Sequence, residues 1–336
     1  MSAAAAVPPM PAPAPVLEVA SLSIDFRTRE GTVRALENVS LRMGAGEFVG
    51  VVGESGSGKS VMAYAITGLL DRAGRVTQGR ALFGGRDLLA LSERARRASR
   101  GRDIAMIFQS PRTSLNPIRT VGNQLADVLR RRHGLDRRAA RERSLSLLTQ
   151  VRITDPEKRL DAYPFAMSGG MCQRVLIALA LACEPTVLIA DEPTTGLDVT
   201  TQASIMELLK DLARRRGMAV LFITHDLTLA AECCDRIVVM HAGHVVEEAP
   251  TAVLFRRPRH PYTARLIAAV PARAARLTDL AAIPGSLPDL RGALPPCRYS
   301  QRCERAQEAC ERGPLPIVDI GPGHRVACCN PLEARA

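Results

Sequence analysis

Residues 48–60 read Phe-Val-Gly-Val-Val-Gly-Glu-Ser-Gly-Ser-Gly-Lys-Ser, and this stretch decides the fold. Phe48 to Val52 is a short apolar run ending in glycine, the pattern of a buried strand. Gly53 to Ser60 then matches G-x-x-x-x-G-K-[ST] at every fixed position. Gly53, Gly56 and Gly58, with Ser55 and Ser57 between them, let backbone N–H groups turn inward around phosphate oxygens. Val61 to Leu70 places apolar residues on one helical face, so the positive end of a helix points at the same charge. Lys59 is expected to reach the β- and γ-phosphates of a nucleotide, and Ser60 to ligate Mg2+. Strand, loop and helix in this order open an α/β unit.

Working outward, Val16 to Phe26 forms an earlier β segment. Three later apolar runs end in polar residues. Thr186–Ala190 leads into Asp191-Glu192, Ala219–Thr224 into His225, and Arg236–Met240 into a turn at Gly243 and a short strand to Glu247. Such strands mark a parallel sheet with its site at the carboxyl edge. Asp191 is then placed to hold Mg2+ beside the phosphate loop. Glu192 suits the base that polarises the attacking water. His225 sits at the same edge, within reach of a γ-phosphate. Gln109, after the apolar run Ile104–Phe108, can touch both Mg2+ and the water.

The totals set limits. The chain has 336 residues, 46% hydrophobic and 24% charged, so it can bury a sizeable core. Aromatics are 3% with no Trp, which argues against base stacking as the main activity. Net charge is +11, and residues 86–143 hold 15 Arg against 6 acids. This balance favours anionic partners without choosing among them. The longest apolar run, Val175–Cys183, has nine residues, whereas a spanning helix needs roughly 20. The opening MSAAAAVPPMPAPAPV reads as a disordered Ala/Pro tail rather than a secretory signal. The Arg-rich residues 86–160, interrupted by Pro111, Pro117 and Pro156, read as a mostly helical insertion. From Arg256 onward Pro, Arg and Cys are frequent and periodicity is weak.

Ser168-Gly169-Gly170-Met171-Cys172-Gln173 resembles the signature motif of ABC-transporter ATPases. The phosphate loop, Gln109, Asp191-Glu192, the loop Thr195–Asp198 and His225 follow the order and spacing of that superfamily over about residues 16–255. The resemblance implies an α/β P-loop ATPase core with a helical subdomain at about 111–184. It also implies a head-to-tail dimer with two ATP molecules between the subunits. Ser168, Gly169, Gly170 and Gln173 would face the ATP held by the partner, Asp198 would lie at the seam, and Phe26 would stack on adenine. Gly196 and Cys172 depart from the more usual residues at their positions without removing a catalytic group. Arg259–Leu266, continuing to Val270-Pro271, and Gly321–Cys328 resemble the C-terminal extension of oligopeptide, dipeptide and nickel importers, here residues 256–336.

That likeness implies a second ABC ATPase chain, two membrane-spanning permease subunits and, indirectly, an extracytoplasmic solute-binding protein. It places the chain peripherally on the cytoplasmic face of the bacterial inner membrane, with no nucleic-acid partner. Cys297, Cys303, Cys310 and Cys328 are separated by five, six and seventeen residues. This spacing is neither that of common zinc sites nor that of ferredoxins. The resemblance implies a 4Fe–4S cluster on these four; zinc and no metal are the alternatives, and Cys329 adjoins the set. The rival functional readings are a soluble ABC ATPase acting on nucleic acid or ribosomes and a non-enzymatic nucleotide-binding subunit.

Overall fold

The computed structural model describes residues 14–270 and 283–333. The expected tail lies outside them up to residue 13, as does Pro271. Twelve strands are present among the described residues: β1 (Leu17–Thr28), β2 (Gly31–Met43), β3 (Phe48–Val52), β4 (Gly74–Phe83), β5 (Arg86–Asp87), β6 (Ile104–Ile107), β7 (Val187–Asp191), β8 (Ala219–Thr224), β9 (Arg236–His241), β10 (His244–Pro250), β11 (Ile317–Gly321) and β12 (His324–Ala327). They form two sheets. One is antiparallel, in the order β2-β1-β4-β5; the other has eight strands in the order β11-β12-β10-β9-β3-β8-β7-β6.

The period of two along the central strands explains both the apolar runs and the layering. Val49 and Val51 of β3, Val187 and Ile189 of β7, and Leu221 and Ile223 of β8 face a core closed by the antiparallel sheet and the Lys59–Thr67 helix. Phe48, Leu188, Val220 and Phe222 face the opposite core. That core is filled by helices between Val121 and Ala230 and by Tyr262, Cys297 and Tyr299 from beyond residue 255. Both faces are covered, so the strands are apolar throughout.

Pairing of β9, β3, β8, β7 and β6 is parallel. Val52 lies opposite Thr224, Asp191 opposite Ile223, and Ile107 opposite Ala190. Gly53, Gln109, Asp191-Glu192 and His225 therefore emerge at one edge. The start of the Arg-rich stretch also holds β5 and β6, on either side of a helix at Glu93–Ser99, and β6 is the end strand of the central sheet. Helices follow at Pro111–Ser114, Val121–His133, Arg137–Gln150, Pro156–Leu160 and Gly169–Leu181. After residue 255, β12 pairs with β10 and β11 pairs with β12, so this hairpin extends the same sheet. Buried Glu247 fastens this addition. It accepts the N–H groups of Arg259 (2.7 Å) and His260 (2.9 Å), and its Oε1 lies 2.8 Å from His324 Nε2.

Candidate active site

The loop from Gly53 to Gly58 leaves β3 and enters the Lys59–Thr67 helix. Gly53 has φ +151°, and a Cβ there would stand 2.1 Å from the Met240 carbonyl oxygen, so no other residue fits. Lys59 is buried and donates to the carbonyls of Gly53 (2.8 Å) and Glu54 (2.9 Å) and to Ser57 Oγ (3.3 Å). Burial pushes its pKa down, while the charges of Glu192, Asp191 and Glu54 counter that shift. Its ammonium thus closes the loop on itself.

Ser60 Oγ donates to Asp191 Oδ1 at 2.9 Å. Burial raises the Asp191 pKa, an effect partly offset by this bond. Two hard oxygen donors already in contact fit a Mg2+ site. Glu192 is held from three sides. Gln109 Nε2 donates to it at 2.7 Å, Thr195 Oγ1 donates at 2.9 Å, and His225 Nδ1 lies 3.1 Å from its other oxygen. Burial pushes the carboxyl up, but the bonds from His225 and Thr195 outweigh it and hold the group below its ordinary range. Its backbone has φ +46°, tied by its N–H to Ile223 O at 2.9 Å. A non-glycine residue there stores about 1–3 kcal/mol, as functional turns often do.

Ser168 caps the Gly169–Leu181 helix, its Oγ accepting from Met171 N at 3.3 Å. Gly170 approaches Thr201 so closely that a Cβ would meet Thr201 Cγ2 at 2.7 Å. Ser168, Gly169 and Gly170 line an open cleft of about 530 Å³ with Thr195, Gly196 and Asp198. Asp198 caps the Val199–Arg216 helix by accepting from Thr201 N at 2.9 Å, and this cap with Thr200 holds its carboxyl well below the usual range. Gln173 does not share that surface. It is completely buried, and neither amide atom has a hydrogen-bond partner among the described residues. Its side chain lies in the core of its own subunit. Phe26 is half-buried, its ring 2.9 Å from where a Cβ on Gly74 would stand, beside Leu70.

The four cysteines share one neighbourhood without closing a ligand set. Burial, followed by the nearby thiols of Cys310, Cys328 and Cys303, pushes the Cys297 thiol up to about 12. Burial, followed by the Cys310 thiol, pushes the Cys329 thiol up. Yet among the described residues no group of three or more His, Cys, Asp or Glu side chains is arranged to hold a metal ion. The donors are soft enough for iron–sulfur or zinc; their arrangement here is not that of either site. Sequence reasoning also missed Arg302, Tyr262 and His241, which gather at Glu54 in the phosphate loop.

A phosphate loop, a buried carboxylate beside its serine, a held glutamate and a separate signature helix together define an ABC-type ATPase. Comparison with known proteins agrees. Residues 36–195 match the ABC transporter family, and residues 246–310 match the oligopeptide/dipeptide transporter C-terminal region. A probable peptide ABC transporter ATP-binding protein of Sinorhizobium fredii is 49% identical over 321 residues, covering 95% of this chain and 96% of that protein. A dipeptide transport ATP-binding protein of Escherichia coli is 45% identical, covering 95% and 97%. A dimeric ATP-binding cassette solved in a post-hydrolysis state with ADP and Pi superimposes with a TM-score of 0.63. It is 31% identical and covers 70% of this chain and 98% of its own. The chain belongs to the ATP-binding proteins of ABC transporters, in the branch with the oligopeptide/dipeptide C-terminal region.

Proposed function

We propose that this ATPase powers import of di- or oligopeptides, or a related small solute, through two membrane-spanning partners. The observation that carries the reading is the joint placement of Gln109, Glu192 and His225 at the sheet edge beside the phosphate loop. Asp191 and Ser60 would hold Mg2+, which supplies charge neutralisation at the phosphates. Lys59 and the loop amides bind the phosphates, with Phe26 against the base. Glu192 orients and polarises the attacking water. His225 steadies Glu192 and the γ-phosphate, and Gln109 links the site to the helices beyond Pro111.

Ser168, Gly169 and Gly170 form an anion-binding helix start with no phosphate loop of their own subunit in the same cleft. That separation supports a head-to-tail dimer with a second ABC ATPase, with Asp198 at the seam. Core residues 16–255, their helical subdomain at about 111–184, and the extension 256–336 are the units of this proposal. Among the described residues no helix is long and apolar enough to cross a membrane. A groove of about 470 Å³ between β6 and the helices, lined by Phe108, Arg131 and Leu176, supports docking to permease subunits at the cytoplasmic face of the inner membrane. An extracytoplasmic binding protein would supply the solute.

A 4Fe–4S centre on Cys297, Cys303, Cys310 and Cys328 is a proposal resting on donor chemistry alone. Anaerobic protein with neither iron nor inorganic sulfide would exclude it. The transport reading is tested by uptake of a labelled dipeptide in cells lacking this chain. Loss of uptake, restored by the wild-type chain and not by Glu192→Gln, is the expected result; undiminished uptake of di- and oligopeptides contradicts it.

A further inference from the structure

The C-terminal extension reaches back across the molecule to the phosphate loop. Arg302, in the turn after Cys297, forks onto Glu54, with Nη1 to Oε2 at 2.9 Å and Nη2 to Oε1 at 3.0 Å. Its side chain is 5% exposed and that of Glu54 28%, so the pair is partly shielded from water. Its Nε donates to the Pro284 carbonyl at 2.7 Å, and its guanidinium lies 5.7 Å from the centre of the Tyr299 ring. Tyr262, completely buried, accepts the Glu54 backbone N–H on its Oη at 3.0 Å. The Tyr262 ring packs on His241 and Tyr299, with centroids at 4.5 and 5.3 Å. Leu287 covers the loop from the other side, 3.2 Å from the Cβ position of Gly56.

Glu54 is thus gripped by backbone and by carboxylate, from residues more than 200 positions away in the chain. Its own carbonyl receives Lys59 Nζ and the Ser57 N–H. Moving Glu54 therefore moves the lysine and the amides that meet the phosphates. From the sheet, His241 at the end of β9 brings its Nδ1 to 3.6 Å from Glu54 Oε2, and the Gly243 N–H donates to the Ser57 carbonyl at 2.9 Å; Arg302 and Tyr262 add the fork and the backbone acceptor.

We propose that Arg302 and Tyr262 are positioning residues of the ATP site, holding the phosphate loop, through Glu54, in the curvature that receives nucleotide. The C-terminal extension thereby sets part of the affinity for ATP. This inference rests on the reading of residues 53–60 as an ATP site. A loop that is receptive only a tenth of the time binds ATP tenfold more weakly, equivalent to about 1.4 kcal/mol. A partly shielded, bidentate, charge-assisted pair is strong enough to account for a shift of that size.

The test is titration of a fluorescent ATP analogue with Mg2+ into the purified 336-residue chain, paired with thermal unfolding of the nucleotide-free protein. Arg302→Gln should raise Kd about tenfold. Arg302→Lys, which cannot form the fork, should fall between Arg302→Gln and wild type. Glu54→Gln combined with Arg302→Gln should bind no worse than either alone. In the assembled transporter, KM for ATP should rise with kcat at saturating ATP nearly unchanged. Should Arg302→Gln not fold, Tyr262→Phe decides, since it deletes one oxygen and should weaken binding about threefold. Wild-type binding matched by every folded variant overturns the proposal. Failure of the wild-type chain to bind the analogue overturns the ATP-site reading itself.

Discussion

Replacing Glu192 with Gln changes one oxygen for an NH2 group and leaves the side chain's size intact. In the structure the Glu192 carboxylate accepts from Gln109 and Thr195 and faces His225 Nδ1 at 3.1 Å. An amide supplies one acceptor where the carboxylate supplies two, so one of these partners meets a donor instead. The greater effect is on the water, which loses its charged acceptor. Removing a positioned general base costs typically 10²–10⁴ in rate, or about 3–5 kcal/mol at 1.36 per tenfold. ATP binding should survive. Glu192 makes no hydrogen bond to the phosphate loop, and its negative charge, one of those holding up the Lys59 pKa, opposes phosphate. Steady-state phosphate release should therefore fall at least a hundredfold, while equilibrium nucleotide titration gives an equal or lower Kd. Phosphate release in Glu192→Gln within threefold of wild type would refute the assignment of Glu192 as the base.

Two other outcomes follow from the geometry. Glu247→Ala strips the acceptor from two backbone N–H groups and from His324 at a fully buried position, and should cost about 3–5 kcal/mol in denaturant unfolding. Glu247→Gln, which keeps one acceptor, should cost less. The pKa of Glu54 is lowered to about 2, chiefly by His241 and then by Arg302; that of Glu37 is lowered to about 2 by His244 and Arg298. A depressed carboxyl pKa adds stability that is fully present above the ordinary value of 4.5 and is lost as pH falls toward 2. The melting temperature should thus drop between pH 5 and pH 3, and drop less in Glu54→Gln.

The catalytic edge was legible because its chemistry is local. Each strand ends in a polar residue within a few positions, and the parallel register does the gathering. The glycines of residues 53–58 likewise announce a backbone that other residues cannot follow. What stayed hidden depends on distance or on orientation. The Arg302–Glu54 fork joins positions 248 apart, and no local pattern distinguishes that arginine from the chain's many others. Gln173 occupies a signature position, but whether a side chain on the first turns of a helix faces a cleft or a core is set by packing. β11 and β12 escaped notice because they are short, and β11 is mostly exposed. The cysteines could be counted and spaced, yet their relative placement required the hairpin that brings Cys328 back toward Cys297.

The measurement that bears most directly on the account is affinity purification of the tagged chain from native membranes in mild detergent, with mass spectrometry of the material that co-elutes. The account predicts two multi-spanning membrane proteins and a second ABC ATPase in comparable amounts, with ATP hydrolysis in the eluate that disappears in Glu192→Gln. Recovery of ribosomal proteins or nucleic acid with no membrane subunit would contradict it, and would make the arginine-rich surface a nucleic-acid contact.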